Sequence, residues 1–465
     1  MALKANLQYN PKNLIMISNP KRFITLCLLA LAQLATAQEH PQDSSLPKWT
    51  AHFQTTVIAQ KHSGFRALYS GMNSLADSVE PTATSLTATL FLGRRLWKGA
   101  AIYVNPEVSG GKGLSFAQGV AGALNGETYR VGEVAPQVFI ARAYLQQHIP
   151  LGNTSYEKVS DDNNQLEDQL PASRITISAG KFAISDFYDA NEYSNDPRTQ
   201  FFNWSLWANG TWDYPANTRG YTEGVVVELI KPRWAVRLST VAVPRIANYH
   251  LMEYRPGKAH SETLELEHQH SINSHKGKIS FIISNTHTRA PSYADGMKAL
   301  AVNDSFLLAV IKGNAENTRY GGKKLELGLN IAQEITHDIG FFSRLGWNDG
   351  QYASWAFTEI DHTINAGLSA KGSRWKRPDD VWGLAAGLNG ISKPHRDFLK
   401  NGGYGFIIGD GRLNYGLEGI LETYYNARLT RFLSVTFDYQ FIRHPGYNKD
   451  RGPVHAFGLR GHIDI

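Results

Sequence analysis

The sequence holds one cysteine, Cys27, only five methionines, and no run of apolar residues long enough to cross a bilayer as a helix. The missing apolar run excludes a helical membrane protein. Cys27 falls inside an N-terminal segment with the layout of an export leader. Lys4, Lys12, Lys21 and Arg22 precede an apolar stretch from Phe23 to Leu34, and Ala35-Thr36-Ala37 forms a small-x-small cleavage pattern. Residues 1–37 are therefore expected to be removed and 38–48 to form a short periplasmic lead-in. Beyond the leader there is no thiol for disulfides or metal ligation. Charge is equally unhelpful to a nucleic-acid reading: 47 Lys and Arg face 41 Asp and Glu, and losing the four basic leader residues leaves 43 against 41.

What the chain does have is tyrosine (21), phenylalanine (21) and glycine (42), a usage that suits strands and turns. Near the C-terminus the order is strict. Leu417, Gly419, Leu421, Thr423 and Tyr425 alternate with Glu418, Ile420, Glu422, Tyr424 and Asn426; Leu433, Val435, Phe437, Tyr439 and Phe441 then alternate with Ser434, Thr436, Asp438 and Gln440. Period two is a strand signal. An apolar sheet face needs a second layer, and the sequence offers neither an amphipathic helix nor a partner sheet. In a transmembrane barrel, lipid covers that face and the polar one lines a lumen.

Sixteen strand-like segments follow from Trp49: 49–60, 84–94, 99–108, 136–149, 173–184, 221–230, 233–243, 262–270, 276–286, 322–334, 338–347, 357–370, 380–389, 414–427, 431–441 and 454–465. The expected fold is all-β, a transmembrane antiparallel barrel over 49–465 with short periplasmic turns and long extracellular loops. Segment 150–172, polar and acidic, reads as a mobile, solvated periplasmic turn, and 301–313 as part of an outer loop despite its apolar run.

No Gly-x-Ser-x-Gly elbow or other catalytic constellation is present, so no enzyme and no cofactor are expected. His260, His268, His270 and His275 lack a third ligand at sensible spacing and read as a polar lumen face running into a turn. Recognition chemistry concentrates in loop 184–220, which carries Asp186, Asp189, Asn191, Asp196, Arg198, Asn203, Trp204, Trp207, Trp212, Asp213, Tyr214, Asn217 and Arg219. Aromatic faces stack on pyranose rings, while guanidinium, carboxylate and amide groups bind hydroxyls, so this mixture suits sugars. A loop of this length is usually functional, and it is expected to enter and narrow the lumen. By alternation Phe139, Ala141, Ala143 and Leu145 face lipid. Arg142, Tyr144 and Gln146 then point inward, as do Arg174 and Thr176 on the next strand. Arg142 and Arg174 are expected to stand side by side opposite the acidic loop.

The runs GKFAISDFYDANEYSNDPRTQFFNWSLWANGTWDYPANTRGYTEG (180–224), TLFLGRRLWKGAAIYVNPE (89–107), GLSFAQGVAGALNGE (113–127) and DYQFIRHPGYNKDRGPVHAFGLRGH (438–462) resemble the carbohydrate-selective porins of the OprB type. The resemblance spans Trp49 to the C-terminus. It implies a sixteen-stranded barrel in the bacterial outer membrane, contacting its lipid as monomer or homotrimer, with small sugars as the diffusing solutes and no nucleic-acid partner. The alternative is a general or anion-preferring diffusion porin. Such barrels usually end in an aromatic residue, where this chain has Ile465; Ile465 keeps the outward parity of Phe457, Leu459 and Ile463.

Overall fold

A computed structural model describes residues 46–465, so the expected leader, Cys27 included, lies outside the described residues. Sixteen antiparallel strands close into one barrel, each bonded to its chain neighbours. They are β1 (Trp49–His62), β2 (Ala83–Trp97), β3 (Ala100–Gly111), β4 (Gln137–Pro150), β5 (Arg174–Phe182), β6 (Thr222–Lys231), β7 (Trp234–Val241) and β8 (His260–Ile272), followed by β9 (His275–Thr288), β10 (Gly322–Thr336), β11 (Ile339–Asn348), β12 (His362–Gly372), β13 (Arg377–Gly390), β14 (Glu418–Arg428), β15 (Leu433–Arg443) and β16 (Val454–Asp464). Pairing of β1 with β16, from Gln54 opposite Asp464 to His62 opposite Ala456, removes both edges.

Each of the sixteen expected segments overlaps one barrel strand. The alternation decides the facing as expected: Glu418, Glu422, Asp438 and Gln440 are buried inside, while Leu421 and Phe437 lie exposed on the outer face of the barrel. Phe457, Leu459, Ile463 and Ile465 share that outer face. Loops alternate in length, with residues 98–99, 232–233, 273–274 and 337–338 on the periplasmic rim and 183–221 and 289–321 on the outer one.

Four expectations change. Residues 357–361 and 414–417 are loop: Phe357 and Thr358 N–H donate to Asp213 in loop 183–221, and Gly416 N–H donates to Tyr447 O in the last outer loop. Residues 151–173 do not hang free. They form a small hairpin, Tyr156–Val159 against Asp168–Pro171, with Leu166 and Leu170 buried. In β4 a bulge at Ala141 shifts the register, so Phe139 pairs with inward Glu107 and itself turns inward, leaving Val138 and Ile140 on the outer face. Finally, Glu265 and Glu267 take the inner face of β8, which puts His260, His268 and His270 outside rather than in the lumen; His270 bonds Gln333 at the periplasmic end.

Helices occur only in loops among the described residues. The apolar run at 301–313 becomes parts of α1 (Tyr293–Val302) and α2 (Ser305–Ile311). Asn303, at φ 55°, ends the first, and the Asp304 carboxylate caps the second by accepting from Phe306 and Leu307 N–H. The outer-loop helix α3 (Lys393–Lys400) is amphipathic, against expectation. It buries His395, Phe398 and Leu399 and pairs Lys393 with Asp397 on its open side.

Candidate functional site in the lumen

The loop between β5 and β6, residues 183–221, folds into the barrel, and polar wall groups hold its backbone around the circumference. Glu265 on β8 accepts from Asp189 N–H at 2.8 Å, Glu422 on β14 from Asn203 N–H at 2.9 Å, and Glu326 on β10 from Asp213 N–H at 2.7 Å. Donors complement them. Arg344 on β11 pairs with Asp189 at 3.0 Å and donates to Ser194 O at 2.7 Å; Arg460 on β16 donates to Pro197 O at 2.7 Å and Gln200 O at 2.8 Å. A buried backbone without partners would be costly, so inward polar residues are what allow a loop to lie in a barrel.

Glycines make the room. A Cβ on Gly328 would fall 2.0 Å from Asn209 Nδ2, and one on Gly346, its cross-strand partner, 2.3 Å from both Asn209 Oδ1 and Thr211 Oγ1. Only a bare backbone lets the loop approach this closely.

The tryptophans form the loop's packed core. Trp204, Trp207 and Trp212 are 1%, 5% and 3% exposed. Trp212 and Trp204 flank Tyr214, at 5.5 Å and 6.2 Å, and Tyr214 stacks on Phe357 at 4.7 Å. Asn203 is also buried, donating to Gln440 at 3.2 Å and capping Ser205 N–H. Asp213 gathers the outer loop 349–361, accepting from the N–H groups of Trp355, Ala356, Phe357 and Thr358 while pairing with Lys324 at 3.1 Å.

Three of the expected arginines lie at different depths rather than in one ring. Arg219 stacks over Phe139 at 4.1 Å, near the outer mouth. Below it Arg142 lies over Tyr221 at 5.4 Å and makes a two-pronged pair with Asp186, at 2.6 and 2.7 Å. Arg174 pairs in register with Pro150, eight residues along β4 from Arg142. At about 3.3 Å per residue that is roughly 26 Å of strand. Arg174 thus stands at the periplasmic mouth, not beside Arg142: parity gives facing, but not depth. Arg198 is engaged elsewhere, bonding Glu127 at 3.1 Å and Glu107, Gln54 and Thr89 at 3.2 Å. Asp196 accepts from Arg198 N–H and shapes the turn there.

Arg219, Phe139, Tyr221, Arg142, Asp186 and Tyr144 therefore form a descending column along the inner face of β4 to β6. Asp186, with its side chain 31% exposed, is more open than Arg142 at 8%. Above the column an outer vestibule of about 380 Å³ includes Gly132, Thr218 and Asn248. Below it, toward the periplasm, a cavity of about 270 Å³ includes Gln146, Arg174 and Glu228. Sequence reasoning did not single out Glu107, Glu127, Arg344 or Arg460. Inward parity on their strands could have found Glu107, Arg344 and Arg460, whereas Glu127 lies in a loop where no period applies.

A family model described as the carbohydrate-selective porin, OprB family, matches residues 82–465. The high-pH structure of OprB from Pseudomonas putida is similar at 15% identity, covering 90% of this chain and 94% of that one, with a TM-score of 0.64. The low-pH structure of the same protein covers 90% and 93% at 11% identity and a TM-score of 0.46. The outer membrane channel DcaP of Acinetobacter baumannii covers 92% and 99% at 8% identity and a TM-score of 0.47. No curated protein sequence matches the chain.

Proposed function

The chain belongs to the OprB family of carbohydrate-selective porins, and from that premise we propose how it passes sugars: down the column on the inner face of β4 to β6, with the narrowing set by Arg142 and Asp186. It is a channel of the outer membrane, and transport is passive. The observation that carries this reading is the pairing of Arg142 with Asp186 between two aromatic surfaces, Tyr221 above and Tyr144 below, at the level where the in-folded loop meets the wall. A guanidinium presents donors in a fixed plane and a carboxylate presents acceptors, which together match vicinal hydroxyls. Binding at such a station must stay weak, because a tightly held sugar would block the path.

In this reading Trp204, Trp207, Asn203, Arg198 and Asp213 act through the loop. They fix its shape and hold it against the wall, so that Asp186 meets Arg142. Asp196 shapes the turn that presents Arg198, and Arg219 stacked on Phe139 forms the entry. The path lies within one chain, so conduction needs no partner copy, whether the protein works as a monomer or a homotrimer. The leader is cut near Ala37. The anion-filter alternative is less favoured, because Arg142 and Arg198 each carry carboxylate partners.

The test uses the shortage of cysteine, Cys27 being the only one. Asp186→Cys should react with a small thiol reagent, and liposome swelling by monosaccharides should then fall. Labelling with unchanged swelling would place the path elsewhere.

A further inference from the structure

We propose that the periplasmic hairpin within 151–173, together with the wall it covers, forms a second carbohydrate subsite that takes one pyranose as it leaves the pore. This rests on the sugar-porin reading above, but on different residues.

The hairpin folds up into the mouth and engages inward-facing groups on three successive strands. His52 on β1 meets Asp161 at 3.4 Å. Arg95 on β2 donates to Asp168 at 2.5 Å and Glu167 O at 2.7 Å. Tyr103 on β3 accepts from Leu166 N–H at 3.4 Å, and Leu166 is buried in the same apolar cluster as Tyr103 and Tyr144. A segment that was only a solvated turn would spend neither buried leucines nor an inward arginine in this way.

Between hairpin and wall lies the cavity of about 270 Å³, whose lining includes Tyr103, His148, Arg174, Glu228 and Arg237. Most of its charges are already committed. Arg95 is held by the hairpin, and Arg237 by Glu228, Glu265 and Glu267 at 2.8 to 3.0 Å. Arg174 differs: it donates through Nη1 to Pro171 O at 3.0 Å, while its Nε, buried, has no partner. A guanidinium held by the protein at one corner only leaves terminal N–H groups that a solute hydroxyl can meet. Glu228 accepts from Arg237 through Oε1 only, and His148 is engaged at Nδ1 by Thr176. A planar donor and a carboxylate oxygen in so small a space match the edge of a single sugar ring. The lower end of the column ends here, since Arg142, Tyr144, Gln146 and His148 follow one another along the inner face of β4.

The experiment is current block by glucose, added to one side at a time, with the full chain held in one orientation in a planar bilayer. Arg174→Gln should weaken block from the periplasmic side by about tenfold, as expected for one charge-assisted hydrogen bond, and block from the outer side by less. Arg174→Lys should also weaken it, because a lysine keeps the charge but not the planar donors. Glu228→Gln is the second probe should an Arg174 variant fail to give a heat-modifiable folded barrel. Periplasmic block unchanged in the folded variants, while liposomes still swell with sugars, overturns the subsite and leaves the porin reading intact. Absence of swelling and of block in the unaltered protein overturns both.

Discussion

At the scale of single residues, the lumen is organised by charges that bind loops rather than solutes. Arg198 is the sharpest case, because its guanidinium is shared among Glu107, Glu127, Gln54 and Thr89 in a place with almost no exposure. Removing one member of a buried ionic cluster leaves the others desolvated and uncompensated, at a cost of roughly 3–5 kcal/mol. Arg198→Ala should therefore loosen the in-folded loop without unfolding the barrel, whose strands are held by their own ladders. Limited proteolysis should show cleavage within 184–220, while the heat-modifiable shift of the barrel persists. Arg198→Lys should recover part of the protection, since it restores charge but not the forked geometry. A loop equally protected in Arg198→Ala would mean that the tryptophan core alone holds it. The same logic assigns Trp204, Trp207 and Trp212: at 5% exposure or less they pack the loop rather than offer a stacking face.

At the scale of elements, two outer loops are clasped by carboxylates whose titration can be followed. Glu359 accepts from Ile407 N–H at 2.8 Å and Ile408 N–H at 2.9 Å, tying loop 349–361 to loop 391–417. Burial pushes the Glu359 carboxyl up to about 7. Its folded value lies above its ordinary one, so its contribution to stability is complete below about 4.5 and is lost as pH rises through about 7. Asp361, two residues on, moves the other way. Burial alone would raise it, but the nearby His395, bonded at 3.1 Å, holds it below its ordinary value, and that contribution is lost as pH falls. The clasp should be tightest in mildly acidic solution. Protection of the Ile407 and Ile408 amides, taken relative to their intrinsic base-catalysed exchange rates, should fall between about pH 6 and 8, and Glu359→Gln should remove that fall. Protection that is flat across this range would show that Glu359 does not titrate there. None of this clasp was legible in the sequence, since it joins residues far apart in loops without a period. The strands were legible for the opposite reason: lipid outside and polar groups inside impose period two, as on β14 and β15, where each inward residue was placed from the alternation alone. Alternation misplaces Phe139, because the period slips by one at the Ala141 bulge. It misplaces His268 and His270 as well, where the strand nears the periplasmic rim and polar residues sit on the outer face.

At the scale of the molecule, the question is whether selectivity comes from net charge or from geometry, and the pairing of the interior decides what to expect. Arg142 is matched by Asp186, Arg344 by Asp189, Arg198 by Glu107 and Glu127, and Arg237 by three glutamates. Charges compensated at contact distance produce a weak long-range field, so they filter ions poorly, yet each remains a strong local donor or acceptor. The unaltered protein should therefore show slight anion preference in reversal-potential measurements. It should also swell liposomes faster with a monosaccharide than with an inert polyol of equal size. Arg142→Ala should weaken sugar binding, because the donor plane opposite Asp186 is gone. Salt conductance should stay equal or rise, because the narrowing widens where the guanidinium stood. For geometry to be the source of selectivity, sugar binding must fall while salt conductance does not. If Arg142→Ala changes only the ion preference and sugar flux stays at its original level, the arginine is an electrostatic filter. In that case the barrel is better described as a general diffusion pore whose in-folded loop sets size alone.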